Sequence, residues 1–248
     1  ANTAFRHGFA PALVLEDAAA GRLMFSHVRA HPGGVRSEES GLLVDSCTFA
    51  QILGPGPVLA LQASPQRAVA VRRSTLSGGR GDGIQASGPG AVEITGNTVS
   101  GVAGAAVLQL SGVGGVARNV IIGSDIGIQA RDFASIHASF NTIAGARIGV
   151  SAIEDATLSL DSTVIWDWRE IALQVKPSAT ALVNRSDIEG GSPIHGTGNF
   201  DLDPLFIDPA RHNYHPGPGS PLIGAGLGGA TAGALEPAMS SFDGLYTF

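Results

Sequence analysis

The feature that most restricts this chain is a phrase that comes back every 22 residues. Ile94 to Val99, Val116 to Ile121 and Ala138 to Ile143 each place an apolar residue three positions before an asparagine, and another two positions after it. The asparagines are Asn97, Asn119 and Asn141. A strand of four or five residues buries no core alone, so units this short must stack on one another. They are also too short for an ordinary strand–helix–strand crossover. Three short strands joined by turns fill the unit, which makes it one rung of a parallel β-helix.

Carried outward, the anchor falls on Ser26, Cys47 and Ser74 before Asn97, and on Ser162 and Ser186 after Asn141. The intervals are 21, 27, 23, 22, 22, 21 and 24 residues, which gives about eight rungs. Three positions before the anchors stand Leu23, Val44, Val71, Ile94, Val116, Ala138 and Val183. Two positions after them stand Val28, Phe49, Leu76, Val99, Ile121, Ile143, Val164 and Ile188. Both columns should face inward, stacked at about 4.8 Å per rung. Ser159 interrupts the first column between Leu158 and Leu160, which predicts a one-residue bulge in that rung. The anchors are small and polar, suited to a tight turn in which the side chain bonds the backbone. A second strand follows at Ile84-Gln85, Val107 to Gln109, Ile128-Gln129 and Ile148 to Val150.

At 248 residues one elongated domain fits better than two. The 35 glycines fall mostly between apolar pairs and read as turn residues. Aromatics are 6%, so alanine and valine must fill a narrow core. A net charge of −6 and a single lysine, Lys176, argue against nucleic acid as a partner. No apolar run has the length of a membrane span. Cys47 is the one cysteine, so an internal disulfide is excluded and a buried, inert thiol is expected. Ala1 to Ala4 carry no signal-peptide pattern and are expected to be a processed terminus or the cut edge of a longer chain.

The expected organisation is a first strand or cap over residues 1–20, rungs over 21–198 and an irregular closing segment of the same domain over 199–248. That last segment carries Asp203-Pro204-Leu205-Phe206, then Tyr214, Gly219-Ser220-Pro221-Leu222-Ile223, Ala225-Gly226 and Gly233-Ala234-Leu235-Glu236. In this order the motifs resemble the C-terminal end of bacterial secreted or surface right-handed parallel β-helix proteins, of the pectate-lyase-like superfold. The resemblance covers Asn199 to Glu236, and the repeats before it agree in kind. It implies a single-stranded right-handed parallel β-helix of about eight to ten rungs with an irregular C-terminal cap, and an extracellular or cell-surface location. Proteins of this kind include polysaccharide lyases, other carbohydrate-active proteins and proteins without assigned chemistry.

The variable turns five to eight residues after the anchors carry Arg80, Asp82, Asp125, Arg147, Asp167, Trp168, Arg169 and Glu170. Stacked rungs should line these up as one charged ledge with an aromatic surface, suited to an extended polysaccharide or another partner. Trp166 and Trp168, two apart, project to the same side if the stretch is extended. An enzymatic reading stays open beside the binding one. Hydrolysis needs two carboxylates at a set separation, and Asp82, Asp125 and Asp167 are the candidates. Lyase chemistry needs a base and a cation for the developing charge, and Arg147 between Asp125 and Asp167 would supply the latter. A third reading is a structural segment of a larger surface protein, packing at its N-terminal end.

No cofactor motif is present: Gly78 to Gly83 lacks the lysine and helix start of a phosphate loop. The Arg80-Gly81-Asp82 tripeptide sits in an ordinary inter-strand turn. No metal site is expected. His7, His27, His31, His137, His195, His212 and His215 lack ligand spacing, and Asp201, Asp203 and Asp208 are read as turn caps.

Overall fold

The computed structural model describes residues 12–15, 20–191 and 196–238. The cap expected over Glu16 to Ala19, with His7 and His195, lies outside them. The fold is a right-handed parallel β-helix with three sheets of eight strands. The first sheet runs from Leu13–Leu15 to Ile171–Val175, the second from Ala20–Met24 to Thr180–Asn184, and the third from His27–Arg29 to Asp187–Ile188. Every neighbour within these sheets is parallel and one rung away in sequence. The rung of Asn97 shows the order: Val92–Thr95 in the second sheet, Thr98–Val102 in the third, Ala105–Gln109 in the first.

Both predicted columns face the interior. Val44, Val71, Ile94, Val116, Ala138 and Val183 have no exposed surface, and Leu23 keeps 6%. Val99, Ile121 and Ile143 pair in direct register in the third sheet. One rung departs from the sequence reading. Its anchor is Thr163, not Ser162: the Asn141 N–H donates to Thr163 Oγ1 at 3.3 Å, and the Thr163 N–H to Ser186 Oγ at 3.1 Å. The interval from Asn141 is then 22, like the two before it. Leu160 takes the inward place before the anchor and Ile165 the one after it, in register with Ala138 and Ile143. The expected bulge disappears, and Val164 points outward.

The anchors form one continuous buried ladder. Cys47 N–H donates to Ser74 Oγ, Ser74 N–H to Asn97 Oδ1, Asn97 N–H to Asn119 Oδ1 and Asn119 N–H to Asn141 Oδ1, at 2.9–3.1 Å. It ends beyond the last rung, where the Ser186 N–H donates to Asn199 Oδ1. The asparagine amides also donate down the stack, Asn119 Nδ2 to Ile94 O and Asn141 Nδ2 to Val116 O. Before each anchor the chain turns through a left-handed residue, with φ of 47° at Arg73, 55° at Arg118 and 53° at Phe140. A non-glycine residue there costs on the order of 1 kcal/mol, which the bonded anchor beside it offsets.

Gln109 is the exception in the core. It lies in the inward column between Ala86 and Ala130, with no exposed surface. Its Nε2 donates to Ser111 O at 2.5 Å, while Oε1 is buried without a partner. Gly114 makes room for it, since a Cβ there would stand 2.9 Å from Gln109 Oε1. Gln109→Met keeps the length and removes the orphaned acceptor. Urea denaturation should show stability held or raised by about 1 kcal/mol; a clear loss would mean the amide is needed.

Residues after Asn199 first cover the last rung, with Phe200 bridging to Asp187. They then turn back along the outside of the third sheet as a strap. Phe206–Asp208 and Asn213–Pro216 make an antiparallel hairpin, and Tyr214 and Ala234 pack on Val120, Ile122 and Ala144. Leu222 and Ala232 pack on Val164. Ser220 Oγ donates to Pro204 O at 2.6 Å, tying the middle of the strap to its start. Gly233 N–H donates to Ser162 O and Ala234 N–H to Thr142 Oγ1. Asp203 and Asp208 accept backbone N–H groups at Leu205 and Arg211.

Candidate functional site

The ledge lies where the third sheet hands over to the first. Backbone bonds fix its columns. The Arg147 N–H donates to Ser124 O, the Ile148 N–H to Asp125 O, and the Glu170 N–H to Arg147 O. Asp125, Arg147 and Glu170 therefore stand on consecutive rungs. Arg147 grips Asp125 through two bonds, Nε to Oδ1 at 2.6 Å and one terminal nitrogen to Oδ2 at 3.0 Å, and its other terminal nitrogen pairs with Glu170. The guanidinium holds the Asp125 carboxyl below the usual carboxylate range. The hydrogen bonds of Asp125 and Glu170 in turn hold Arg147 firmly protonated. The stabilisation from Asp125 is present above the ordinary carboxylate pKa and fades as acidification passes below it.

Asp167 does not join this group, contrary to the stack expected from spacing. It occupies the left-handed turn position (φ 54°) held by Gly145 one rung earlier and by Gly123 two rungs earlier. Its backbone N–H donates to Glu189 Oε2 at 2.7 Å. The same turn separates the tryptophans. Because Asp167 breaks the extended run, Trp166 packs beneath the strap with Phe200 and Phe206. Trp168 packs, half-buried, against the solenoid core near its last rung, with Nε1 donating to Glu189 O at 3.0 Å. A shallow hollow of about 320 Å³ lies beside it, lined by Trp168, Ile171, Leu173, Glu189 and Gly190.

Asp82 is further down the stack, with the turn of Gly104 between it and Asp125. Its Oδ1 accepts the Ala105 N–H at 2.8 Å. Gly104 is small by necessity, since a Cβ there would meet Asp82 Oδ1 at 2.3 Å. Burial pushes the Asp82 carboxyl up. Arg80 is exposed. Arg169 reaches two rungs to Ser124 O at 3.2 Å.

Comparison with protein-family models, curated proteins and solved structures finds no match. The architecture is a solenoid consistent with the pectate-lyase-like superfold, which serves ligand binding and lyase chemistry alike.

Glu189 was not among the residues drawn from the sequence, nor was a second ionic ridge across the first sheet, where Arg131 pairs with Glu154 at 3.1 Å. A signal for such pairs exists. Arg147 with Asp125, Arg147 with Glu170, Arg131 with Glu154, Arg73 with Asp45 and Arg185 with Asp161 are all separated by one local rung, 22 to 28 residues. Opposite charges at that spacing are axial neighbours, as they are four apart on a helix.

Among the described residues, no three His, Cys, Asp or Glu side chains gather as a metal centre. His215 Nδ1 bonds Glu236 O at 2.7 Å and His212 stacks on Tyr214. Cys47 is buried, its thiol pushed up by burial, and its one S–H faces two acceptors, Leu23 O and Asp45 O, each 3.2 Å from Sγ. No helix among the described residues is long and apolar enough to cross a membrane.

Proposed function

We propose that the chain is a non-catalytic extracellular or surface module that holds an extended carbohydrate along its turn ledge. One observation carries the non-catalytic part of this reading: the charges at the centre of the ledge, Asp125, Arg147 and Glu170, are already spent on one another. Arg147 is bonded to both Asp125 and Glu170, so neither carboxylate is free as a base and the guanidinium is not free to meet a developing dianion. Asp82 is engaged by a backbone N–H, and it stands two rungs, or about 10 Å, from Asp125. A hydrolase needs its two carboxyl groups free and at most about 9.5 Å apart. The ledge instead presents paired charges on successive rungs, with the open flank of Trp168 at its far end, which suits weak contacts to a polymer.

Binding to a panel of acidic and neutral polysaccharides, read together with ultraviolet absorbance for unsaturated product, tests this. The expected result is binding to at least one polymer without product, weakened about fivefold or more by Trp168→Ala, or on the order of 1 kcal/mol. Accumulating product would establish a lyase. Absence of both signals on every polymer would leave a structural or assembly segment.

A further inference from the structure

The strap is held to the end of the solenoid at a chemically unusual joint. Asp187, in the last strand of the third sheet, has no exposed surface. Its N–H donates to Thr163 O at 3.0 Å, and its Oδ1 accepts the Leu202 N–H at 3.1 Å. Oδ2 is buried without any partner. On either side the strap is zipped to this strand, Phe200 N–H to Ser186 O and Ile188 N–H to Phe200 O, both at 3.0 Å. One carboxyl therefore sits at the first contact between rung and strap.

The charged groups around it are all unhelpful to an anion. From the strap come Asp201 and Asp203, both acidic. The preceding rung offers Thr163, Val164 and Ile165, none titratable. On the strand's own flanks Arg185 is engaged by Asp161 at 3.1 Å, and the Glu189 carboxylate by the Asp167 N–H. Leu222 and Ala232, which pack on Val164, add only apolar surface. An ionised carboxylate here has a bare oxygen, no cation and two like charges nearby, an arrangement that favours the neutral acid.

We propose that Asp187 is a proton-operated latch for the strap: neutral, it seats Asn199 to Leu205 on the last rung, and ionised, it loosens them. Release that spreads from there along the strap, lifting Tyr214, Leu222, Ala232 and Ala234, would uncover the outer face of the third sheet at Val120, Ile122, Ala144 and Val164. Burial, only partly offset by the Leu202 bond and reinforced by Asp201 and Asp203, pushes the carboxyl up to about 7. In the detached, solvated state it returns to about 3.9. The sign follows: attachment is strongest below about pH 4, weakens on the order of tenfold per pH unit as the pH rises toward 7, and levels off above it.

Hydrogen exchange on the intact chain between about pH 5 and 8, corrected for intrinsic rates, tests the latch. The reporters are the strap amides of Leu227, Gly233 and Ala234, and the references are the ladder amides of Asn97 and Asn119. Strap protection should fall on the order of a hundredfold relative to the ladder, and Asp187→Asn should flatten that fall. A strap that tracks the ladder at every pH overturns the proposal, as does an unchanged profile in Asp187→Asn. If Asp187→Asn does not fold, the double variant Asp201→Asn/Asp203→Asn decides. Removing the like charges should move the transition to lower pH, and an unmoved transition overturns the latch.

Discussion

Ile121→Asp is expected to unfold the central rungs, with a loss of more than about 4 kcal/mol. Ile121 has no exposed surface and stands in register between Val99 and Ile143. A carboxylate there would be surrounded by aliphatic side chains above, below and across a lumen three short strands wide. It would have no cation and no water to meet. Ser100→Asp is the matched control, because Ser100 faces outward one position along the same sheet, in register with Ile122. It should change stability by less than about 0.5 kcal/mol. Thermal melting of Ile121→Asp at the parent temperature would refute the interior stack.

The second large effect is expected from Asn119→Ala, at about 3–5 kcal/mol by urea denaturation. The side chain accepts from both the N–H and the Nδ2 of Asn97, each at 3.0 Å, and donates to Ile94 O at 2.9 Å. Truncation leaves the Asn97 N–H buried and unpaired and takes from the Ile94 carbonyl its side-chain donor. The orphan costs about 1–3 kcal/mol, and the lost amide bonds and emptied space add to it. Asn97 Nδ2 keeps its second acceptor, Val71 O, which bounds the loss. Asn119→Ser should recover part of it, because serine already accepts from the rung before at position 74 and at position 186. A loss below about 1 kcal/mol for the alanine variant would show the ladder to be incidental.

The repeat was legible because its information is periodic. A column of Val, Ile and Leu at a fixed offset from a small polar anchor survives changes in turn length. Reading failed where two acceptable anchors stand side by side, at Ser162 and Thr163. Only the side-chain oxygen that meets the Asn141 N–H separates them, although the 22-residue interval already favoured Thr163. The path of the strap was missed for a different reason. Its trace in the sequence is the apolar character of Val120, Ile122, Ala144 and Val164, which lie between or beside inward positions and pass for ordinary core. In the rungs before them the outward residues of the same sheet are Thr75, Ser77, Thr98 and Ser100. On the ledge, spacing put Asp125, Arg147 and Glu170 on one edge but set Asp167 next to Arg147, where the structure has Glu170. A left-handed residue resets the strand alternation, and nothing in the identity of Asp167 announces that it adopts one.

A stack in which each layer touches only the next should come apart layer by layer from a free end. The strap alters this for the last four rungs, because its bonds to Ser162 and Thr142 join positions 65 and 92 residues apart. The layers of Asn119, Asn141, Thr163 and Ser186 are thereby bound into a single parcel. Those before them are held only by their immediate neighbours. The molecule is therefore two materials end to end: a half that peels, and a half that must give way all at once.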